Sequence, residues 1–157
     1  MKYQIIPCLW FEGKAEEAAR FYVSVFSNSK INDITYYGKE GFDIHNQPEG
    51  TVLTVEFEIN GQAFTALNGG PEFRFNESVS FQVYCDTQEE INYYWDTLIA
   101  DGGEESYCGW LKDKYGLSWQ IVPAILADLM KDPVRAGRVT DAFMQMRKFD
   151  IEKLINA

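Results

Sequence analysis

The sequence predicts an α+β fold of two tandem βαβββ units followed by a C-terminal helical extension. Three observations carry this. A strand pattern followed within one turn by a helical pattern occurs twice, over 3–26 and again over 79–100. The two copies superpose without a gap over first strand and helix, which sets Glu16-Glu17-Ala18-Ala19-Arg20-Phe21-Tyr22 on Glu89-Glu90-Ile91-Asn92-Tyr93-Tyr94-Trp95 and Pro7 on Ser80. Their last strands superpose in a register of their own, Gly61-Gln62-Ala63-Phe64-Thr65 on Gly116-Leu117-Ser118-Trp119-Gln120, which sets Thr65 on Gln120.

Element by element, residues 3–11 form the first strand, and 14–26 a helix with Ala15, Ala18, Ala19, Tyr22 and Phe26 on one face. A second strand at 31–37 and a polar stretch at 38–50 follow. Leu53, Val55, Phe57 and Ile59 then alternate with Thr54, Glu56 and Glu58, the pattern of a half-buried strand. Asn60-Gly61 supplies two residues that tolerate positive φ, as a two-residue type I′ hairpin requires, and leads into a strand at 62–67. Asn68-Gly69-Gly70-Pro71 interrupts the pattern and reads as a linker.

The second unit opens with a strand at 79–84. Asp86 or Thr87 caps a helix at 88–100, which Asp101-Gly102-Gly103 ends. Strands are expected at 106–108, 109–112 and 117–122, the last two turning on Asp113-Lys114-Tyr115-Gly116. Beyond them, 123–131 is a short helix, Asp132-Pro133 an N-cap with proline at N1, Val139, Phe143 and Met146 a helical stripe, and Asp150 the cap of a last helix through 156. The chain thus reads as one domain over 1–157: first unit 1–70, second unit 78–123, helical tail 124–157.

A chain of 157 residues that is 46% apolar supports one compact core without a disulfide or metal staple. Cys8, Cys85 and Cys108 are odd in number and form no metal-binding pair, which fits a reducing compartment. The apolar start is broken by Pro7 and followed by Glu12, too short for a signal segment or a membrane span, so a soluble cytoplasmic protein is expected. A net charge of −10 repels phosphate backbones, and Arg135, Arg138, Arg147 and Lys148 are interleaved with Asp132, Asp141 and Asp150 as on a solvated helix face. Nucleic acid and membrane partners are therefore not expected.

Closer motifs carry a resemblance. Glu16-Glu17-Ala18 with Phe21-Tyr22, Asn68-Gly69-Gly70-Pro71-x-Phe73-x-Phe75-Asn76-Glu77, Ser80-Phe81-x-Val83, Trp95, Cys108-Gly109-Trp110, Asp113 to Gly116 and Trp119-Gln120-Ile121-x-Pro123 span nearly the whole chain. As a set they resemble the PhnB-like branch of the vicinal oxygen chelate superfamily, the glyoxalase, bleomycin-resistance and dioxygenase group. That branch often carries a ubiquinone-pathway methyltransferase name, yet the sequence lacks the glycine-rich strand-to-helix turn of the usual methyl-donor site. The resemblance implies a U-shaped cavity lined by each unit's sheet, a homodimer, and, in metal-dependent members, one ligand from the first and last strand of each unit. Carried over, those positions are Pro7, Thr65, Ser80 and Gln120, and the internal repeat pairs them in the same way.

These side chains do not suit a catalytic metal. Pro7 offers no donor, and Thr65, Ser80 and Gln120 are neutral oxygens without the imidazole, thiolate or carboxylate that first-row ions require. No metal or other cofactor is expected. Cys8 alternates with Pro7 and is expected to fill a core position. Gln82 shares the face of Ser80, and Trp110 and Trp119 lie on strands closing the second cavity, so polar groups on apolar walls fit a small-molecule site. The sequence thus predicts metal-independent binding of a small molecule by Pro7, Thr65, Ser80, Gln82, Trp110 and Gln120, with no catalytic residue assigned. One alternative is an enzyme of the superfamily using Glu56 or Glu58 as base, since His45 lies in the polar stretch and Ser80 has no adjacent base. Another is a structural dimerisation module.

Overall fold

The computed structural model describes residues 4–157, so the expected strand start at Tyr3 lies outside the described residues. The chain divides into two compact units, the second running Phe75–Ala157.

In the first unit, β1 (Cys8–Phe11) leads to α1 (Ala15–Val25), then β2 (Lys30–Tyr36), the single turn α2 (Phe42–His45), β3 (Val52–Ile59) and β4 (Gln62–Asn68). The sheet order is β1-β4-β3-β2, with β1 parallel to β4 and the other pairs antiparallel. β1 is shorter than the apolar run because Pro7 has no N–H to give a ladder; its carbonyl still accepts the Thr65 N–H at 3.0 Å. Asn60 and Gly61 both have positive φ, 48° and 79°, so the hairpin is the one their chemistry demands. Alternation then aims Leu9, Phe11, Val55, Phe57, Ile59, Phe64 and Ala66 at the buried side of α1, where Ala15, Ala18, Ala19 and Tyr22 meet them. Phe57 stacks between Tyr22 at 6.3 Å and Phe64 at 5.4 Å, measured between ring centres.

In the second unit, β5 (Phe81–Cys85), α3 (Gln88–Ile99), β6 (Glu104–Glu105), β7 (Trp110–Lys112) and β8 (Ser118–Pro123) repeat the plan in the order β5-β8-β7-β6, with β5 parallel to β8. The chain is therefore a repeat of two βαβββ units. Ile91, Trp95 and Leu98 of α3 pack on Leu111, Trp119 and Ile121, and α4 (Leu126–Leu129), α5 (Pro133–Phe143) and α6 (Ile151–Ile155) add Leu129, Val139 and Leu154 to the same unit's core. Two expectations change. Residues 106–108 are not a strand but a tight turn, because Cys108 takes φ 57° and Gly109 φ 79°. The polar stretch is not all loop, since Phe42–His45 form a helical turn with Tyr37 and His45 rings 4.5 Å apart.

Candidate functional site

Each sheet buries one face under its helix and leaves the other free of it. On the open face of the first sheet the ladders set Cys8 opposite Thr65, Thr65 opposite Glu56, and Glu56 opposite Asp33. Pro7, expected to face the cavity with Thr65, is one residue out of phase with it. Cys8 is Thr65's neighbour, and it is exposed rather than a core residue. In the second sheet one ladder row holds Gln82, Gln120 and Trp110. The first-strand residue beside Thr65 is therefore Cys8 and the one beside Gln120 is Gln82, whereas the repeat match singles out Pro7 and Ser80 on those strands. The one-residue shift arises because the strand-to-strand register is set by the parallel ladder, which the gapless match of strand and helix did not see.

The second unit brings four polar side chains into one hydrogen-bonded row. Tyr84 Oη donates to Gln82 Oε1 at 3.0 Å, Gln82 Nε2 to Gln120 Oε1 at 3.3 Å, and Gln120 Nε2 to Ser80 Oγ at 2.8 Å. Every member is neutral, and the direction of donation leaves the Ser80 hydroxyl hydrogen available at one end. Trp110 stands beside Gln120 and carries the face into a cavity of about 370 Å³ lined also by Glu77, Tyr107, Cys108, Lys112 and Ser118. Ser118 is fully buried and donates to the Asn76 carbonyl at 3.5 Å. The ion pair between Lys112 and Glu77 holds the Glu77 carboxyl below its usual range, chiefly through the lysine's hydrogen bond, and raises Lys112 for the same reason. Trp119, whose strand was expected to close the cavity, faces the core: it is 2% exposed and donates its indole N–H to Asp113 Oδ2 at 2.9 Å.

Several motif residues hold the framework. Asn68 accepts the Ala15 N–H at 2.9 Å, capping α1 from across the sheet where Lys14 makes no side-chain cap, and donates to the Val52 carbonyl at 3.0 Å. Gly69 lets the Trp10 indole lie against the chain, since a Cβ there would fall 2.2 Å from the ring, and Trp10 donates to the Gly70 carbonyl at 2.8 Å. Asn68-Gly69-Gly70 is thus a packing motif as well as a link. Sequence reasoning missed the Asn68 cap and the Asp113 anchor; a buried type of polar residue at a turn was visible, its distant partner was not. His45 lies on α2, with Nδ1 accepting the Gln47 N–H at 3.0 Å.

The cysteines differ in environment. Burial first, then the Glu90 and Asp86 carboxylates, push the Cys85 thiol up to about 11. Cys8 is also raised, by burial around its sulfur, although the residue as a whole is exposed. The paired open-face side chains of the first and last strands, a thiol and a hydroxyl in the first unit and two amides in the second, do not form a ligand set for a first-row ion. Cys8 and Glu56 are separated by β4, which keeps their backbones about 10 Å apart. Among the described residues no three His, Cys, Asp or Glu side chains gather closely enough to hold a metal ion. No helix among them is long and apolar enough to cross a membrane.

Comparison with known proteins agrees with this architecture. A family model described as 3-demethylubiquinone-9 3-methyltransferase matches residues 3–122. A solved PhnB protein from Bacillus cereus, bearing that same methyltransferase name, is 38% identical with a TM-score of 0.68 over 78% of this chain and 100% of its own. Protein PA1353 from Pseudomonas aeruginosa shares the fold at 18% identity and TM-score 0.55, covering 78% of this chain and 98% of its own. The fosfomycin resistance protein FosX from Listeria monocytogenes does so at 12% identity and TM-score 0.54, over 82% and 98%. No curated protein matches the chain.

Proposed function

The chain belongs to the PhnB-like family whose model carries the name 3-demethylubiquinone-9 3-methyltransferase, and from that premise we propose that it binds a small, neutral or weakly polar molecule without a metal ion. The observation that carries this is a cavity of about 370 Å³ lined by Trp110, Leu111 and Ser118, beside which the Trp110–Gln120 ladder pair sets the neutral row Tyr84, Gln82, Gln120 and Ser80. A mostly apolar concavity with a few convergent polar groups is the usual form of a small-molecule site. The Ser80 hydroxyl would donate to a ligand oxygen, and Trp110 would cover an apolar or flat part of it. Thr65 belongs to the open face of the first sheet, and Pro7 adds only its ladder carbonyl.

A methyl transfer of the kind the family name suggests is not part of this proposal, because among the described residues no strand turns through a glycine-rich loop into a helix. The test is a thermal-shift screen of small metabolites together with elemental analysis. A ligand at 100 times its Kd stabilises the fold by about 2.7 kcal/mol, or roughly 5–10 °C in Tm for a chain of this size. The shift is expected to fall by at least half in Gln120→Ala. A transition metal retained at one equivalent through dialysis would overturn the metal-free part. No shift over a broad panel would favour a structural module instead.

A second reading has its own support. Glu56 shares the open-face row with Thr65 and Cys8, while Glu58 accepts from Asn32 Nδ2 at 2.9 Å and lies 3.8 Å from Lys30. Glu56 is therefore the better placed of the two carboxylates to act as a base in an enzyme of this superfamily. Turnover of a panel substrate that survives in Glu58→Gln and disappears in Glu56→Gln, with Tm unchanged, would establish it.

A further inference from the structure

Resting on the reading that the second-unit cavity takes the ligand, we propose that residues 144–149 form a strap that positions the cavity wall at Tyr107 to Trp110 and sets which ligands fit, with Arg147 and Phe149 as positioning residues. The wall is an unusual piece of backbone. Cys108 and Gly109 are consecutive residues in the left-handed region, a conformation that a side-chain-bearing residue such as Cys108 disfavours because its Cβ crowds the following carbonyl. What holds them there is the tail: the Cys108 N–H donates to Met146 O and the Gly109 N–H to Arg147 O, both at 2.8 Å. The backbone amides of these two consecutive residues are thus given to the strap and not to a neighbouring strand.

Side chains lock the same contact. Phe149 is 3% exposed and lies so close to Gly109 that a Cβ there would fall 2.4 Å from its ring. The Arg147 guanidinium sits 5.3 Å over the Tyr107 ring and 3.5 Å from the Glu105 carboxylate. Cys108 Sγ reaches the Phe143 carbonyl and Met144 Sδ, each at 3.7 Å. The far side of the strap is pinned to α3. Gln88 Nε2 donates to Phe149 O at 3.0 Å, Gln88 Oε1 accepts the Ile151 N–H at 2.9 Å, and Lys148 pairs with Asp96 at 2.9 Å.

Tyr107 and Cys108 both line the cavity, so a movement of the strap is a movement of the wall. The strap also lies beyond residue 122, where the family match ends. A wall held by a segment outside the matched region can vary while the sheet and its polar row stay the same.

The test uses the full chain carrying Cys8→Ser, so that Cys108 reports on the wall while Cys85 stays silent. Gln88→Ala removes two strap hydrogen bonds at a distance from the cavity, and Arg147→Ala removes the cover on Tyr107 without touching the core. Each is expected to raise the rate of Cys108 alkylation by N-ethylmaleimide at neutral pH by about fivefold or more, as local opening does when bonds of this kind are lost. Each is also expected to change the ratio of affinities for 8-anilinonaphthalene-1-sulfonate and the smaller 1-naphthol by about threefold, which loss of global stability alone would not do. Arg147→Lys, which keeps the charge but not the flat cover, should fall between. Unchanged alkylation and an unchanged ratio in both variants would overturn the strap. If neither probe binds the parent protein, the ligand-cavity reading falls, and with it the strap's part in ligand choice; the alkylation rates still decide whether the strap holds the wall.

Discussion

Asn68 shows how much one side chain does here. It caps α1 at Ala15, bonds Val52 of β3, and through its backbone carbonyl accepts the Tyr37 hydroxyl at 2.6 Å. Asn68→Ala strands the buried Ala15 N–H and the half-buried Val52 carbonyl and is expected to cost about 2 kcal/mol in urea unfolding. Asp113 is 2% exposed and accepts from the Tyr115 N–H at 2.8 Å, the Leu117 N–H at 3.1 Å and the Trp119 indole. Asp113→Ala should cost about 3 kcal/mol or more, and Asp113→Asn less, because the amide keeps one acceptor. The turn residues at both places were legible in the sequence. Their partners were not, since Asn68 and Ala15 are brought together by the β1–β4 ladder and not by spacing along the chain.

The thiols give a pH prediction at the same scale. Cys85 has its folded pKa raised to about 11 from 9.0, so its neutral form is the one the fold favours. The sign follows: this contribution is whole below pH 9 and is lost as pH rises through the folded value, so urea stability should decline between about pH 9 and 11 in the parent and decline less in Cys85→Ala. Mass spectrometry after alkylation at neutral pH should find Cys8 modified and Cys85 intact.

At the scale of elements, α3 begins with a full capping box: Thr87 accepts the Glu90 N–H at 3.2 Å and Glu90 accepts the Thr87 N–H at 3.2 Å. Thr87→Ala is expected to lower stability by about 1 kcal/mol. The sequence left Asp86 and Thr87 as equal candidates, and the capping box decides for Thr87. The last helix, α6, starts at Asp150, whose carboxyl is held below its usual range first by the Lys153 backbone N–H and then by the Lys153 side chain. A depressed carboxylate stabilises above the ordinary carboxylate range and loses that contribution as pH falls through its folded value. Hydrogen exchange of the α6 amides should therefore quicken on acidification towards pH 3 relative to pH 6, after correction for intrinsic rates, and the difference should vanish in Asp150→Asn. Alternation told which residues of a strand share a face. It did not set the phase of β1, which is fixed by the parallel register that puts Cys8 beside Thr65.

For the whole molecule, both sheets run first-fourth-third-second, and each leaves one face uncovered by its own helix. Pairing of two chains, as the family resemblance suggests, is proposed as the state in solution; light scattering at micromolar concentration should return about twice the 18.1 kDa chain mass, and a monomer would count against it.

Local chemistry in the sequence determined the elements, the Asn60-Gly61 hairpin and the repeat, because hydrophobic period, caps and turn dihedrals act between near neighbours. Tertiary structure alone decided that Cys8 and Gln82 stand in the first-strand places, that Trp119 faces the core while Trp110 faces the cavity, and that the tail holds the turn at Cys108. Those outcomes depend on ladder register and on contacts between residues far apart in the chain, which the period of a strand does not encode.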